Sequence, residues 1–198
     1  MVYINYHNIT HDDMNNGDGL RVVLWLSGCF HHCYNCQNPQ TWNPNSGISF
    51  DETAKQEIFD ELAKDYISGI TLSGGDPLYE SNLDTVLSLI KEIRLSFPEK
   101  TIWLYTGYRI ELDHCTYIDA KNNYEFKTTY NFVTETPDKN VINNFKRSAI
   151  LNSVDVIIDG EYIDEQRDIT LKWKGSKNQR VIDVKQSFAQ NKIVLYCD

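Results

Sequence analysis

Three short apolar runs, each ending in a polar, glycine-containing loop and separated by two amphipathic stretches, sharply restrict what this chain can fold into. Val22–Val23–Leu24–Trp25–Leu26 is β-branched and aromatic, reads as a buried strand, and ends at Ser27–Gly28. Ser49 followed by Glu52 has the spacing of a capping box. After it, Ala54, Ile58 and Leu62, with Phe59 and Ala63, fall on one helical face. Gly69–Leu72 reads as a second strand running into Ser73–Gly74–Gly75–Asp76. Leu83, Val86, Leu87, Ile90 and Ile93 mark a second helix, closed before Pro98, and Thr101–Tyr105 is a third strand leading into Thr106–Gly107. Strand, helix, strand, helix, strand predicts right-handed crossovers, a parallel sheet and an α/β class. Ligands of such sheets collect at the carboxyl ends of the strands, and all three polar loops lie there.

Beyond Thr106–Gly107 the pattern is weaker. Between Leu112 and Pro137 it is lost, although Tyr117–Asp119 and Tyr124–Phe126 have hairpin character around Lys121–Asn123. Residues 138–151 read as helix, and Val154–Ile158 as a fourth strand ending at Asp159–Gly160. Arg180–Asp183 and Ile193–Tyr196 read as further short strands. At 198 residues, with no repeat and no Pro/Gly-rich linker, the expectation is one domain over 1–198. A net charge of -9 argues against nucleic-acid and anionic-membrane partners. No apolar run approaches the roughly 18 residues of a membrane span. Met1–Asp13 carries acids and histidines where an export signal needs a basic and then an apolar stretch, so a cytoplasmic protein is expected.

Cysteine usage points the same way. Of five cysteines, Cys29, Cys33 and Cys36 fall in the loop after the first strand, while Cys115 and Cys197 stand apart without an evident task. An odd, uneven set is not a secreted disulfide framework. Three thiolates from one loop suit an iron–sulfur cluster whose fourth iron stays open. The spacing alone leaves other readings: a zinc site completed by His31, His32 or Cys115, or a dithiol at Cys33 and Cys36.

In its sequence context, Cys29-x3-Cys33-x2-Cys36 resembles the signature of radical S-adenosylmethionine enzymes. Within that superfamily the chain resembles the activating proteins of anaerobic (class III) ribonucleoside-triphosphate reductases. The resemblance rests on Asn16–Arg21, Ser27–Cys36 with Gln37–Trp42, Leu72–Leu78, Trp103–Tyr108, Asp155–Gly160 and Lys174–Asp183, in family order. Three departures stand out: Asn35 before the last cysteine, Asp76 where the wider superfamily has Glu, and Asp18 where Pro is frequent. The segment 112–137 looks like an insertion.

The resemblance implies a fold and a chemistry. The fold would be a partial (β/α) barrel of parallel strands. A [4Fe-4S] cluster would be held by Cys29, Cys33 and Cys36, with S-adenosylmethionine chelating the open iron. Its reductive cleavage would give a 5′-deoxyadenosyl radical that takes hydrogen from a backbone glycine of the large reductase subunit. The partners would be that subunit and a flavodoxin- or ferredoxin-like electron donor. Gly74 and Gly75 would allow close approach of the methionyl part, Asp76 would accept its ammonium, and Thr106 and Gly107 would line the ribose or methionine site. Asp159 would lie at the same strand ends, and Arg180 would hold the carboxylate. Two readings compete with this one: an activase of another glycyl-radical enzyme or a small-molecule radical enzyme, and a zinc-binding interaction module without catalysis.

Overall fold

A computed structural model describes residues 4–119, 125–135 and 140–197. Four parallel neighbours form the middle of its main sheet: β2 (Leu20–Leu26), β4 (Ile67–Gly74), β5 (Thr101–Tyr105) and β8 (Val156–Asp159). The crossovers carry α1 (Glu52–Leu62), α2 (Leu83–Ser96) and α3 (Val141–Leu151). β1 (Asn5–Asp13) pairs antiparallel with β2, and the two-residue β3 (Ile48–Ser49) pairs with β1. At the other side β9 (Arg180–Asp183) is antiparallel to β8, and β10 (Leu195–Cys197) is antiparallel to β9. The short α4 (Val184–Gln190) follows β9. The molecule is therefore a mixed α/β structure, and the all-parallel expectation holds only for the centre of the sheet. Antiparallel neighbours need no crossover helix, and the link between β8 and β9 contains only a single 3₁₀ turn, at Asp164–Gln166. β6 (Ile110–Asp119) and β7 (Glu125–Thr134) form a separate antiparallel pair. That pair agrees with the hairpin expectation, whose turn lies outside the described residues.

Alternation sorts the strand residues onto two faces. Val22, Leu24, Ile70, Leu72, Ile102 and Leu104 join Ile58, Leu62 and Ile90 of the helices in the main core. The opposite face carries Trp103, Val156, Ile158 and Val181, with Tyr105 packed against them. Arg21 is fully buried on this face. It donates to Thr71 Oγ1, Thr101 Oγ1 and the carbonyls of Asp18, Ile70 and Thr101, at 2.7–3.0 Å. Burial pulls its guanidinium down to about 10, so it stays charged at neutral pH.

One helix start differs from the expectation. Asp51, not Ser49, caps α1, accepting from the amides of Thr53 and Ala54. Ser49 is held extended opposite Asn5, and the amide of Phe50 donates to the carbonyl of Ile4, so the chain turns two residues later. No helix of the described residues is long and apolar enough to cross a membrane.

Candidate functional site

The carboxyl ends of β2 and β4 are tied together by their backbones. The amide of Gly75 donates to the carbonyl of Leu26 at 2.7 Å, and that of Asp76 to the carbonyl of Gly28 at 2.8 Å. A Cβ on Gly75 would lie 2.5 Å from the Gly28 carbonyl oxygen. Gly74, with φ +95, adopts a left-handed conformation against Leu26, where an added Cβ would meet backbone at 2.7 Å. The glycine pair thus has a job the sequence did not reveal: it lets the Asp76 loop lie against the root of the cysteine loop.

The cysteine loop leaves β2 through the amides of Gly28 and Cys29, which donate to the carbonyls of Thr41 and Trp42. His32 and Asn35 take positive φ between the cysteines, and His32 stacks on Trp42 with ring centroids 4.5 Å apart. Asn35 donates to Asp164 at 2.9 Å, anchoring the loop to the segment after β8. The result is a cavity of about 120 Å³ with Cys29, Cys33 and Cys36 on its wall. Gly74, Gly75, Asp76, Thr106 and Gly107 line the same cavity. Eight of the ten residues singled out from sequence therefore converge on one space.

The other two, Asp159 and Arg180, face each other across β8 and β9. Asp159 is fully buried; it accepts from Arg180 Nε at 3.1 Å, from a second Arg180 nitrogen, and from the amide of Ile110 at 2.9 Å. Arg180 also donates to the carbonyl of Ile110. This pair binds the start of β6 to the sheet, beside the cavity rather than on its wall.

Asp76 is buried and densely bonded. Its Oδ1 accepts from the Leu78 amide at 2.8 Å, and its Oδ2 from the Gly107 amide at 3.0 Å. The Thr106 hydroxyl lies 2.9–3.0 Å from both oxygens. His31 Nε2 lies 3.0 Å from Oδ2, while His31 Nδ1 lies 2.9 Å from Oε1 of Glu161. With a carboxylate at each nitrogen, the imidazole donates from both. Burial opposes that charge, but the bonds and charges of Asp76 and Glu161 outweigh it and raise the His31 pKa above its ordinary value. Sequence offered no signal for this link, which spans 130 positions.

The thiols of Cys29 and Cys33 sit in the opposite situation. Burial, with the Asp76 charge added, pushes Cys29 up to about 12, and burial with the Glu161 charge raises Cys33. Free thiolates are thus disfavoured here, and a bound cation reverses that preference by coordinating them. Among the described residues, no three His, Cys, Asp or Glu side chains are gathered as ligands of a single metal ion. Both ring nitrogens of His31 are committed to carboxylates, while His32 stacks its face on Trp42. The donor set on the cavity wall is three thiols, the ligand type of iron–sulfur clusters, and a zinc site completed by His31 would cost that imidazole both carboxylate contacts.

A second cavity, of about 620 Å³, adjoins the first through His31, Gly107 and Gly160. Phe30, Tyr108, Arg109 and Glu161 are among its walls, and Phe30 is half exposed at 52%.

Comparison with known proteins gives a consistent result. The family described as "4Fe-4S single cluster domain" matches residues 15–182. The chain is 37% identical over 180 residues to the anaerobic ribonucleoside-triphosphate reductase-activating protein of Enterobacteria phage T4, covering 90% of this chain and 93% of the relative. It is 35% identical to the protein of the same name from Haemophilus influenzae, covering 89% and 96%. The corresponding Escherichia coli K12 protein is 33% identical, covering 90% and 97%.

Proposed function

Because the chain belongs to the anaerobic ribonucleoside-triphosphate reductase-activating protein family, we propose that it activates the large catalytic subunit of an anaerobic ribonucleotide reductase. The observation that carries this reading is the convergence of Cys29, Cys33 and Cys36 with the Gly74–Asp76 and Thr106–Gly107 loops on one cavity at the strand ends. The three cysteines would hold a [4Fe-4S] cluster, with S-adenosylmethionine as second cofactor. When bound, these groups supply the low-potential electron and the hydrogen abstraction that store a radical on a backbone glycine of the reductase.

The chain's own residues bind, orient and shield. Gly74 and Gly75 let the Asp76 loop lie against the cysteine loop, and Asp76, Thr106 and Gly107 form the polar wall of the cofactor's cavity. Asp159 and Arg180 support the rim from beside it. The four central parallel strands with their crossover helices fit a partial (β/α) barrel, whose strand ends form a shielded vessel for radical chemistry. The electron donor would be flavodoxin- or ferredoxin-like, and the place of action the cytoplasm. The acidic net charge of -9 gives no support to a nucleic-acid partner.

The test combines iron-loaded, reduced protein with S-adenosylmethionine and its cognate large subunit without oxygen. Release of methionine together with the onset of ribonucleotide reduction supports the proposal. A colourless protein carrying one zinc, or an iron-loaded protein that leaves the reductase inactive, overturns it.

A further inference from the structure

We infer that His31 is a positioning residue that fixes Asp76 on the cysteine side and Glu161 on the outer side of a shared wall, setting the two cavities in register. This rests on the proposed function only in naming what binds beside Asp76: S-adenosylmethionine.

The geometry singles out His31. It belongs to the cysteine loop, yet its side chain is only 4% exposed. Its ring packs against Phe30, with centroids 4.1 Å apart, and against Tyr108, at 5.0 Å, and those two rings also meet at 5.3 Å. Each nitrogen is spent on a carboxylate from a different strand end: Asp76 after β4 and Glu161 after β8. Gly107, after β5, makes room for it, since a Cβ there would lie 2.4 Å from His31 Cδ2. Four loops thus meet on one imidazole, which lines both cavities.

The consequences differ for the two carboxylates. Asp76 keeps the amides of Leu78 and Gly107 and the Thr106 hydroxyl when His31 is removed, but loses one of the three groups bonded to Oδ2. Glu161 is 57% exposed, and His31 is the partner that draws its carboxylate onto the wall. Both nitrogens of the imidazole face carboxylates, and among the described residues neither is bonded to a cysteine sulfur, so its role is to aim carboxylates rather than to ligate iron.

The variants His31→Leu and His31→Gln test this in reconstituted protein. Leu removes both donors; Gln can donate to one carboxylate and retains the fold if Leu does not. His31→Leu should hold about four irons per chain, like wild type. It should bind S-adenosylmethionine roughly tenfold more weakly by anaerobic calorimetry, and the change that S-adenosylmethionine causes in the EPR signal of the reduced cluster should shrink. His31→Gln should recover part of that affinity. Glu161→Ala, which leaves the His31–Asp76 contact in place, should keep the iron content and weaken S-adenosylmethionine binding less than His31→Leu. Loss of iron from both His31 variants, or wild-type S-adenosylmethionine affinity in either, would overturn the inference. Wild-type protein that holds iron but binds no S-adenosylmethionine would instead defeat the proposed function itself.

Discussion

Replacing Asp76 with Asn removes one charge and almost no volume, so it isolates what the carboxylate contributes. Four groups donate to it: the amides of Leu78 and Gly107, the Thr106 hydroxyl and His31. An amide in its place has one accepting and one donating side, and either orientation conflicts with a neighbour. With the NH2 on the Oδ2 side, it faces the Gly107 amide and His31. On the Oδ1 side it faces the Leu78 amide alone, because the Thr106 hydroxyl can reverse and accept. The second orientation is the cheaper. It leaves one buried N–H without a partner, at about 1–3 kcal/mol. It also converts charge-assisted bonds to Gly107 and His31 into weaker ones, at about 1 kcal/mol more. The expected loss is therefore about 2–4 kcal/mol, a large fraction of the roughly 5–15 kcal/mol that stabilises a typical domain. Urea unfolding of the cluster-free protein measures it, with an unchanged slope confirming that the same surface is exposed. A shift below about 1 kcal/mol would show that the bonds around Asp76 do not hold these loops, and would refute the reasoning.

Two further substitutions probe the frame around the site. Arg21→Met should cost about 3–5 kcal/mol in the same assay, because five hydrogen bonds are lost and the Thr71 and Ile70 oxygens among the acceptors stay buried. A cost under about 1 kcal/mol would mean those oxygens find other partners. Gly75→Ala places a methyl 2.5 Å from the Gly28 carbonyl, so the Asp76 and cysteine loops must separate. It should cost about 1–3 kcal/mol and lower the iron retained after reconstitution, whereas wild-type stability with full iron would show that the loops part freely.

The elements most legible in the sequence were those whose pattern is local. Thr101–Tyr105 and Arg180–Asp183 are strands with the bounds read from their apolar runs, and the polar loops after β2, β4 and β5 do converge. β1 was not legible because its alternation is broken: a register shift between Tyr6 and Asn8 leaves Tyr6 and Ile9 buried three residues apart. α4 was missed because seven residues give too little periodicity, and its ends are set by Asp183 at the start and Asn191, in the left-handed region, at the end. The cysteines and glycine loops of the candidate site were visible as motifs. The Asp159–Arg180 pairing and the Asp76–His31–Glu161 line were not, because each depends on which strands become neighbours. No local spacing encodes a bond between residues 130 positions apart.

The most direct measurement for the whole account is EPR on an anaerobic mixture of the reduced, iron-loaded protein, S-adenosylmethionine and the cognate large reductase subunit. A glycyl-radical doublet on the large subunit is expected, formed with release of methionine, and neither is expected when Cys33→Ala replaces the wild type. An absent doublet with the iron-loaded wild type, or a doublet of undiminished size with Cys33→Ala, would contradict it.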